Sequence, residues 1–572
     1  MDHASILRRT DTPRGSGRQV RLGLVIDAWE QPRWISDALR EAVTTGVMTV
    51  GAVLLTRTST GPNRGAPASR PQPIPPLLER LYRAADRARF HPDEGLFAPT
   101  SLRPLAAEAR TVPLHIGDAS SPPTIAAPSP LEEGPLDVIL NLSGHVETSA
   151  LAGLAACGAV AFALGETDQQ GGGAFGLGEV LRGDPVIRVR LQRWPGMGRP
   201  PNTAVATVTN THPFSVGRTR DIAARHATTL LARLGRALAN EMDDAETGTA
   251  LDAPDTNVER PAARPPGTPL ALLRLTGRYA RYLLRGRATR DQWVLAYHRG
   301  AEGGATPSLP ERDPSRYREI VPSRDRFWAD PFPVRVDGRD FLLFEELLFA
   351  EGIGHLSVIE VGPDGPVGEP TTVLQRPFHL SYPFTFEYGG ELYLLPEMAL
   401  EGRLELYRAV RAPFEWVLDR VILQGAMLLD ATLAEIDGRW WMFACEYREG
   451  LQPWSDLLVF HADSPFGPWT PHPRNPVVSD VRSARPAGHL FREDGAWIRP
   501  AQDCSRSYGG AITLRKITTL TQTDYVEVVA SYIAADGSAG WKGPHTLNAH
   551  RGLSAIDLKR SVPRSGDVPS QR

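Results

Sequence analysis

FWADPFPVRVDGRDFLLFEE (Phe327–Glu346), HLSYPFTFEYGGELYLLPEM (His379–Met398), LLDATLAEIDGRWWMFACEY (Leu428–Tyr447) and RPAGHLFREDGAWIRPAQDC (Arg485–Cys504) are four copies of one pattern. Each opens on small or charged residues, alternates apolar and polar up to a two-residue turn, and returns in a second apolar run. The turns are Asp337-Gly338, Gly389-Gly390, Asp437-Gly438 and Asp494-Gly495, spaced 52, 48 and 57 residues apart. Apolar runs joined by Asp-Gly or Gly-Gly predict β-hairpins. Hairpins recurring about every 50 residues predict a β-propeller with one blade per repeat. Gly543–Arg560 and the early strand Trp293–His298 complete a fifth blade. Joining early and late strands in one blade closes the ring and removes its open edges.

The rest of the chain sets the context. It has 572 residues, a net charge of −3 and a pI near 6.6, so more than one domain is expected. No basic-aromatic motif for nucleic acid is present. Cys157, Cys445 and Cys504 form no CxxC pair, which argues against a disulfide scaffold or a zinc site. No metal or other cofactor is expected. Lysine occurs only at Lys516, Lys542 and Lys559 among 63 basic residues, a bias that suggests a bacterial, GC-rich coding sequence. The first residues lack the apolar core of a signal peptide. No run reaches the roughly 18–20 apolar residues of a membrane span. The expected location is therefore cytoplasmic.

The reading in order is multidomain. Residues 1–19 form a polar, disordered tail. Residues 20–240 form an α/β Rossmann-like domain, because strand, helix and strand alternate from Arg21 to Leu55 and further buried strands follow at 136–147 and 158–165. VIRVRLQRW, residues 186–194, alternates and reads as an edge strand, and a single helix over 219–238 closes the domain. Residues 241–268 are a Pro- and Ala-rich linker. Residues 269–290 form a basic amphipathic helix, a pattern that suits packing between domains and also peripheral contact with an anionic membrane. Residues 291–560 are the all-β five-bladed propeller, and 561–572 are a disordered tail.

The order of a strand, an Asn-bearing strand end (Asn141), a Gly-rich loop and a short helix before a hairpin resembles the formyltransferase fold of methionyl-tRNA and sugar formyltransferases. That resemblance implies a catalytic Asn, His and Asp. Asn141 and His145 stand four apart where that family has two, and Asp168 falls where its Asp is expected. The implied module is degenerate, with a scaffolding or partner-binding use; sugar formyl transfer is the alternative.

In the propeller, FWADPF, LLDATL and the repeated Asp-Gly hairpins resemble glycoside hydrolase family 43, the arabinanase, levansucrase and invertase group. The blocks ADPF, HLSYPF, DAT, RPAG, RPAQDCS and HTLN resemble the N-terminal-side propeller of plant glucosamine inositolphosphorylceramide transferase. These resemblances imply a carbohydrate or glycoconjugate substrate. In family 43 terms Asp330 matches the general base and Asp430 the carboxylate that orients the acid. Where that family has its acidic Glu, this chain reads Ser483-Ala484-Arg485.

Propeller geometry predicts that the residues opening each repeat converge on the central channel. These are Asp330, His379, Ser381, Asp430, Arg485, His545 and Asn548. Strand ends add Glu345, Glu346, Glu397, Gln502, Asp503 and Tyr508, among the rings of Trp328, Tyr382 and Phe384. Glycoside hydrolysis needs one protonated and one ionised carboxyl. Asp330, Asp430 and Glu397 are the candidate catalytic set, with Glu397 the substitute acid. Glu346, His379, Ser381, Arg485, Gln502, Asp503, Tyr508, His545 and Asn548 are the candidate substrate-binding set, with Arg485 as an anion anchor. The expected function is glycosyl hydrolysis or transfer. The alternative is a non-catalytic glycan-binding or scaffolding role in surface polysaccharide synthesis.

Overall fold

Each of the four turn pairs has positive φ at both residues: 49° and 75° at Asp337-Gly338, 61° and 81° at Gly389-Gly390, 52° and 74° at Asp437-Gly438, 48° and 78° at Asp494-Gly495. This is the backbone of a two-residue hairpin turn whose twist matches its strands. A fifth turn of the same form, Arg551-Gly552, has φ of 45° and 87°. Arginine is not a typical residue there, and the sequence pattern alone does not mark it.

The computed structural model describes residues 19–58, 76–116, 124–125, 135–165, 175–244, 268–300, 309–534 and 540–563. The expected tails (except Gln19 and 561–563), most of the linker and Asp168 lie outside the described residues. The chain divides into two compact units, Arg14–Tyr279 and a second from Ala280 onward.

The second unit is a five-bladed propeller. Blade one comprises Arg326–Val336, Arg339–Leu348, Gly354–Val361 and Pro366–Leu374. Blade two runs from Ser381–Tyr388 through Glu391–Glu397 and Arg403–Arg411 to Glu415–Gln424. Blade three is built on the hairpin Leu428–Ile436 and Arg439–Glu446, and blade four on Phe491–Glu493 and Ala496–Asp503. In blade five the hairpin Leu547–His550 and Leu553–Pro563 is followed in space by Thr289–Arg299 and Arg318–Ile320. Thr289–Arg299 pairs with Leu553–Pro563 without a break, from Thr289 opposite Pro563 to Arg299 opposite Leu553.

Burial follows position within the blade. Arg339–Leu348 is buried at seven successive residues, because neighbouring blades cover both faces, whereas Glu415–Gln424 is largely exposed. Phe332, Tyr382, Phe384, Leu395 and Met442 form one apolar cluster spanning the first three blades. Each fully buried aromatic or aliphatic side chain contributes about 1.5–3 kcal/mol.

The first unit is built on a mixed eight-stranded sheet. Its central strand, Val20–Ile26, is parallel to Met48–Thr58 on one side and to Val138–Asn141 on the other. Arg110–Ile116 extends the parallel run beyond Met48–Thr58, and Ala159–Leu164 extends it beyond Val138–Asn141. Near-complete burial of VRLGLVI and AVAFAL fits strands covered on both faces. Val186–Trp194 is not an edge strand: it lies antiparallel between Ala159–Leu164 and Asn202–Asn210. Its half-buried alternation reflects one solvated face. The helix expected over 219–238 is two helices, Val216–Ala227 and Leu230–Asp244, so helix extends past the expected domain end at 240. The basic helix spans Thr268–Ala288, and its first part, through Tyr279, belongs to the first unit. Arg278 there donates to the carbonyls of Val180 and Pro213.

Candidate functional site

The inner strands of blades one, two and three carry the same irregularity. Pairing skips between Ala329 and Phe332, between Ser381 and Phe384, and between Leu429 and Thr432. Within each skip one non-glycine residue adopts positive φ: Asp330 at 52°, Tyr382 at 44° and Asp430 at 53°. Each such residue costs on the order of 1–3 kcal/mol unless its surroundings hold it, and such positions cluster at functional sites. Here the bulge turns three equivalent side chains inward.

All three are buried and bonded. Asp330 accepts from the Tyr382 backbone N–H (3.2 Å) and from the Thr546 hydroxyl, and its Oδ1 lies 3.3 Å from His545 Nε2. Tyr382 accepts from Gly488 N–H (2.8 Å), and its hydroxyl lies 2.7 Å from that of Thr432. Asp430 receives the Arg485 guanidinium in a two-point contact of 2.6 and 3.2 Å and the Gln502 amide at 3.0 Å.

Behind Asp330 lies a residue that the sequence pattern does not single out. Asp557, completely buried, accepts the backbone N–H groups of Asp330 (2.9 Å), His545 (2.9 Å) and Thr546 (3.0 Å). His545 Nδ1 lies 2.6 Å from its Oδ2. The available signal is a lone aspartate in the apolar run LSAID. Burial raises the Asp330 carboxyl to about 7. Burial also opposes charge on His545, but Asp557 and Asp330 outweigh it and raise the imidazole to about 9. Asp330, His545 and Asp557 have atoms close enough to ligate one metal ion. The protonated imidazole between the two carboxyls already supplies the balancing positive charge.

In front of this network opens a cavity of about 230 Å³. Its aromatic walls are Trp293, Phe327 and Tyr508, and its carboxyls are Glu345 and Glu397. His379, Ser381, Arg485 and His545 complete the polar lining, with Ala329. The structure thus brings together His379, Ser381, Glu397, Arg485, Tyr508 and His545 from the expected set. Asp330, Asp430 and Gln502 stand behind the lining. Ser381 donates to Glu397 Oε2 at 2.6 Å, and Ala399 N–H donates to Oε1 at 2.7 Å. Burial first, then Asp430, raises the Glu397 carboxyl above its ordinary range.

Other expected residues lie elsewhere. Glu346 points to the face of its strand opposite Glu345, where it meets Arg326 (2.8 Å), Trp328 Nε1 (3.1 Å), Ser357 (2.8 Å) and His355 (3.4 Å). Those contacts outweigh burial and lower its carboxyl to about 2. Asn548 braces the loop by accepting from His489 N–H and donating to Pro331 O, and Asp503 caps Ser505 N–H. The expected rings Trp328, Tyr382 and Phe384 are core residues. Trp293 and Phe327 take the place at the cavity assigned to them. The anion-anchor reading of Arg485 needs a free guanidinium, whereas two of its three nitrogens bind Asp430, and its face lies over Tyr508. Cys504 is buried, and burial raises its thiol to about 12.

In the first unit the Asn141 amide is used locally. It donates to Val146 O (2.8 Å) and the Thr148 hydroxyl (3.0 Å) and accepts from Ser143 N–H (3.1 Å). His145 is exposed. At the neighbouring strand tip Asp27 accepts from Thr56 (2.7 Å), Ser143 (2.5 Å) and Gly144 N–H (2.8 Å).

Residues 318–559 match the family model described as "Glucosamine inositolphosphorylceramide transferase 1, N-terminal". The propeller is similar to that domain. Glucosamine inositolphosphorylceramide transferase 1 of Oryza sativa subsp. japonica is 37% identical over 224 residues, which are 38% of this chain and 30% of the rice protein. The Arabidopsis thaliana protein of the same name is 34% identical over 224 residues, 38% of this chain and 29% of its own. The chain thus spans about 30% of the length of these relatives. Both are plant proteins and lend nothing to the bacterial origin read from the Arg-over-Lys bias. Among solved structures, Zg3597, a family 117 glycoside hydrolase of Zobellia galactanivorans, aligns at 12% identity over 47% of this chain and 90% of its own, with a TM-score of 0.31. The GH43_1 enzyme from Xanthomonas citri complexed with xylotriose aligns at 14% identity over 42% and 90%, with a TM-score of 0.30.

Proposed function

We propose that the axial cavity binds one terminal sugar unit of a glycan or glycoconjugate and catalyses glycosyl hydrolysis or transfer there. The observation that carries this reading is Glu397, a buried carboxyl raised by burial and by Asp430, lining a cavity with three aromatic rings. A raised carboxyl holds its proton to higher pH than an ordinary one, which is the direction a general acid requires. Aromatic faces suit the apolar faces of a sugar, and carboxyls, His and Ser suit its hydroxyls. About 230 Å³ falls below the roughly 300–1,000 Å³ of drug-sized ligand sites, which favours a single ring over an oligosaccharide. The plant relatives are named for glucosamine and inositolphosphorylceramide, so glycoconjugates bearing an amino sugar are the first substrates to screen.

The test is Glu397→Gln, which keeps shape and removes the proton. Hydrolysis of alkyl glycosides falls by about 10²–10⁴-fold, while aryl glycosides with acidic leaving groups lose much less. Equal loss on both, or none, sinks the acid role. Arg485, which stands where family 43 has its acidic Glu and is paired with Asp430, favours a second reading as a glycan-binding scaffold. That reading predicts sugar binding with no turnover by the unaltered chain.

We read the first unit as formyltransferase-like. Five parallel strands run in the spatial order 3-2-1-4-5, followed by an antiparallel pair, and support that reading. With the Asn141 amide committed to its own loop, we assign this module no formyl transfer. Binding of 10-formyltetrahydrofolate by the full chain would overturn that assignment.

A further inference from the structure

We propose that Glu345 is the second reacting carboxyl of the cavity, paired with Glu397, and that His379 is its positioning residue. This rests on the reading of the cavity as a sugar site. Glu345 and Glu397 occupy the same place in successive repeats. Each lies on the second strand of its hairpin, opposite Ala329 in blade one and opposite Ser381 in blade two, so that its partner is the residue just before the bulge residue. Both line the cavity. Asp330, the carboxyl that resemblance to family 43 favours, does not line it, and both its oxygens are engaged by Tyr382, Thr546 and His545.

Glu345 is also aimed. His379 Nε2 lies 3.2 Å from its Oε1. His379 Nδ1 accepts the backbone N–H of Gly354 at 3.0 Å. A ring nitrogen that accepts a backbone N–H carries a lone pair, so the proton of the neutral ring sits on Nε2 and points at Glu345. Burial opposes a charged ring at His379, and the Glu345 carboxylate outweighs it. Gly354 is where the three groups meet. A Cβ there would lie 2.8 Å from Glu345 Oε1, His379 Cε1 and Leu380 O. No side chain fits at 354 unless the pair moves.

In hydrolysis, Glu345 takes one proton from water as the water oxygen bonds to the anomeric carbon. The bond from that carbon to the leaving oxygen breaks, its electron pair stays on that oxygen, and Glu397 gives it a proton. Solvent then moves a proton from Glu345 to Glu397, restoring both.

The experiment uses the full chain and a panel of cationic iminosugars of gluco, galacto, xylo and arabino configuration, with binding followed by calorimetry from pH 4 to 8. The unaltered protein binds one of them and loses it on acidification. Glu345→Gln weakens binding at least about tenfold at neutral pH with its melting temperature retained. His379→Ala, a change at a partly exposed ring, removes the Nε2 donor together with the ring's own titration, so the pH profile of binding moves. This second variant decides the matter if Glu345→Gln does not fold. Full-strength binding by Glu345→Gln, or an unmoved pH profile in His379→Ala, overturns the pairing while leaving the sugar site standing. An unaltered protein that binds no iminosugar and cleaves no aryl glycoside overturns the sugar-site reading itself.

Discussion

His545 sits between Asp330 and Asp557 with almost no access to water, and its charge has a consequence for stability. The usual histidine value is about 6.5, and in the folded chain it is raised to about 9. The folded state therefore binds more protons than the unfolded state between these values. The contribution is fully present below pH 6.5 and is lost as pH rises through 9. The raised Asp330 carboxyl acts in the same direction at lower pH. Thermal unfolding should accordingly give a falling midpoint from pH 6.5 to 9.5. Asp557→Asn should lower the midpoint most near pH 6.5, by an amount equivalent to about 3–5 kcal/mol for a broken buried pair, and less at pH 9.5, which flattens the slope. Asp330, Asp430 and Glu397 were legible as polar openings and ends of repeated strands. Asp557 was not, because one aspartate in an apolar strand has no local pattern to mark it. Glu346 and Glu345 are adjacent, and alternation along the strand sends only one to the cavity; sequence gives the alternation but not its phase.

The hairpin is the element that repeats, and its turns were the most legible feature of the chain. Asp-Gly and Gly-Gly relieve the strain of two successive positive φ values, so composition reports conformation there. Arg551-Gly552 performs the same turn with a residue that has no such preference, and it was visible only once the strands were placed. Gly438 has φ of 74° and open space around its missing Cβ. Gly438→Ala should therefore cost about 1 kcal/mol through backbone strain alone, read as a lower denaturant midpoint with an unchanged slope. Tyr382→Phe tests the bulge instead. It strands the buried Gly488 N–H, which donates to the Tyr382 hydroxyl at 2.8 Å, and should cost about 1–3 kcal/mol. A loss no larger than that of an exposed Tyr→Phe change would show that the bulge is held by its backbone and not by this bond.

At the scale of the whole chain, the division into an α/β unit and a propeller was readable because hydrophobic period and Gly-Pro punctuation change between them. Strand order within the α/β sheet was not readable. Val186–Trp194 alternates like an edge strand, yet Asn202–Asn210 covers its far side. The propeller's closure makes a further expectation. Removing residues from 553 onward deletes the partner of all eleven residues of Thr289–Arg299. It also removes Asp557, and so the anchor of three backbone N–H groups. Such a chain should lose its cooperative unfolding transition, as monitored by tryptophan fluorescence, whereas removing residues 564–572 should leave the transition intact.

The eleven-residue pairing of Thr289–Arg299 with Leu553–Pro563 also sets an order in time. During synthesis the strand that opens the ring emerges first and waits for its partner until four blades have left the ribosome. Until then its edge offers unpaired N–H and C=O groups to any neighbouring chain. Contacts between residues so far apart in sequence form late and slowly. Folding yield should therefore depend on how long the nascent chain is shielded, and slower elongation or a holding chaperone should matter most over the last twenty residues of the propeller.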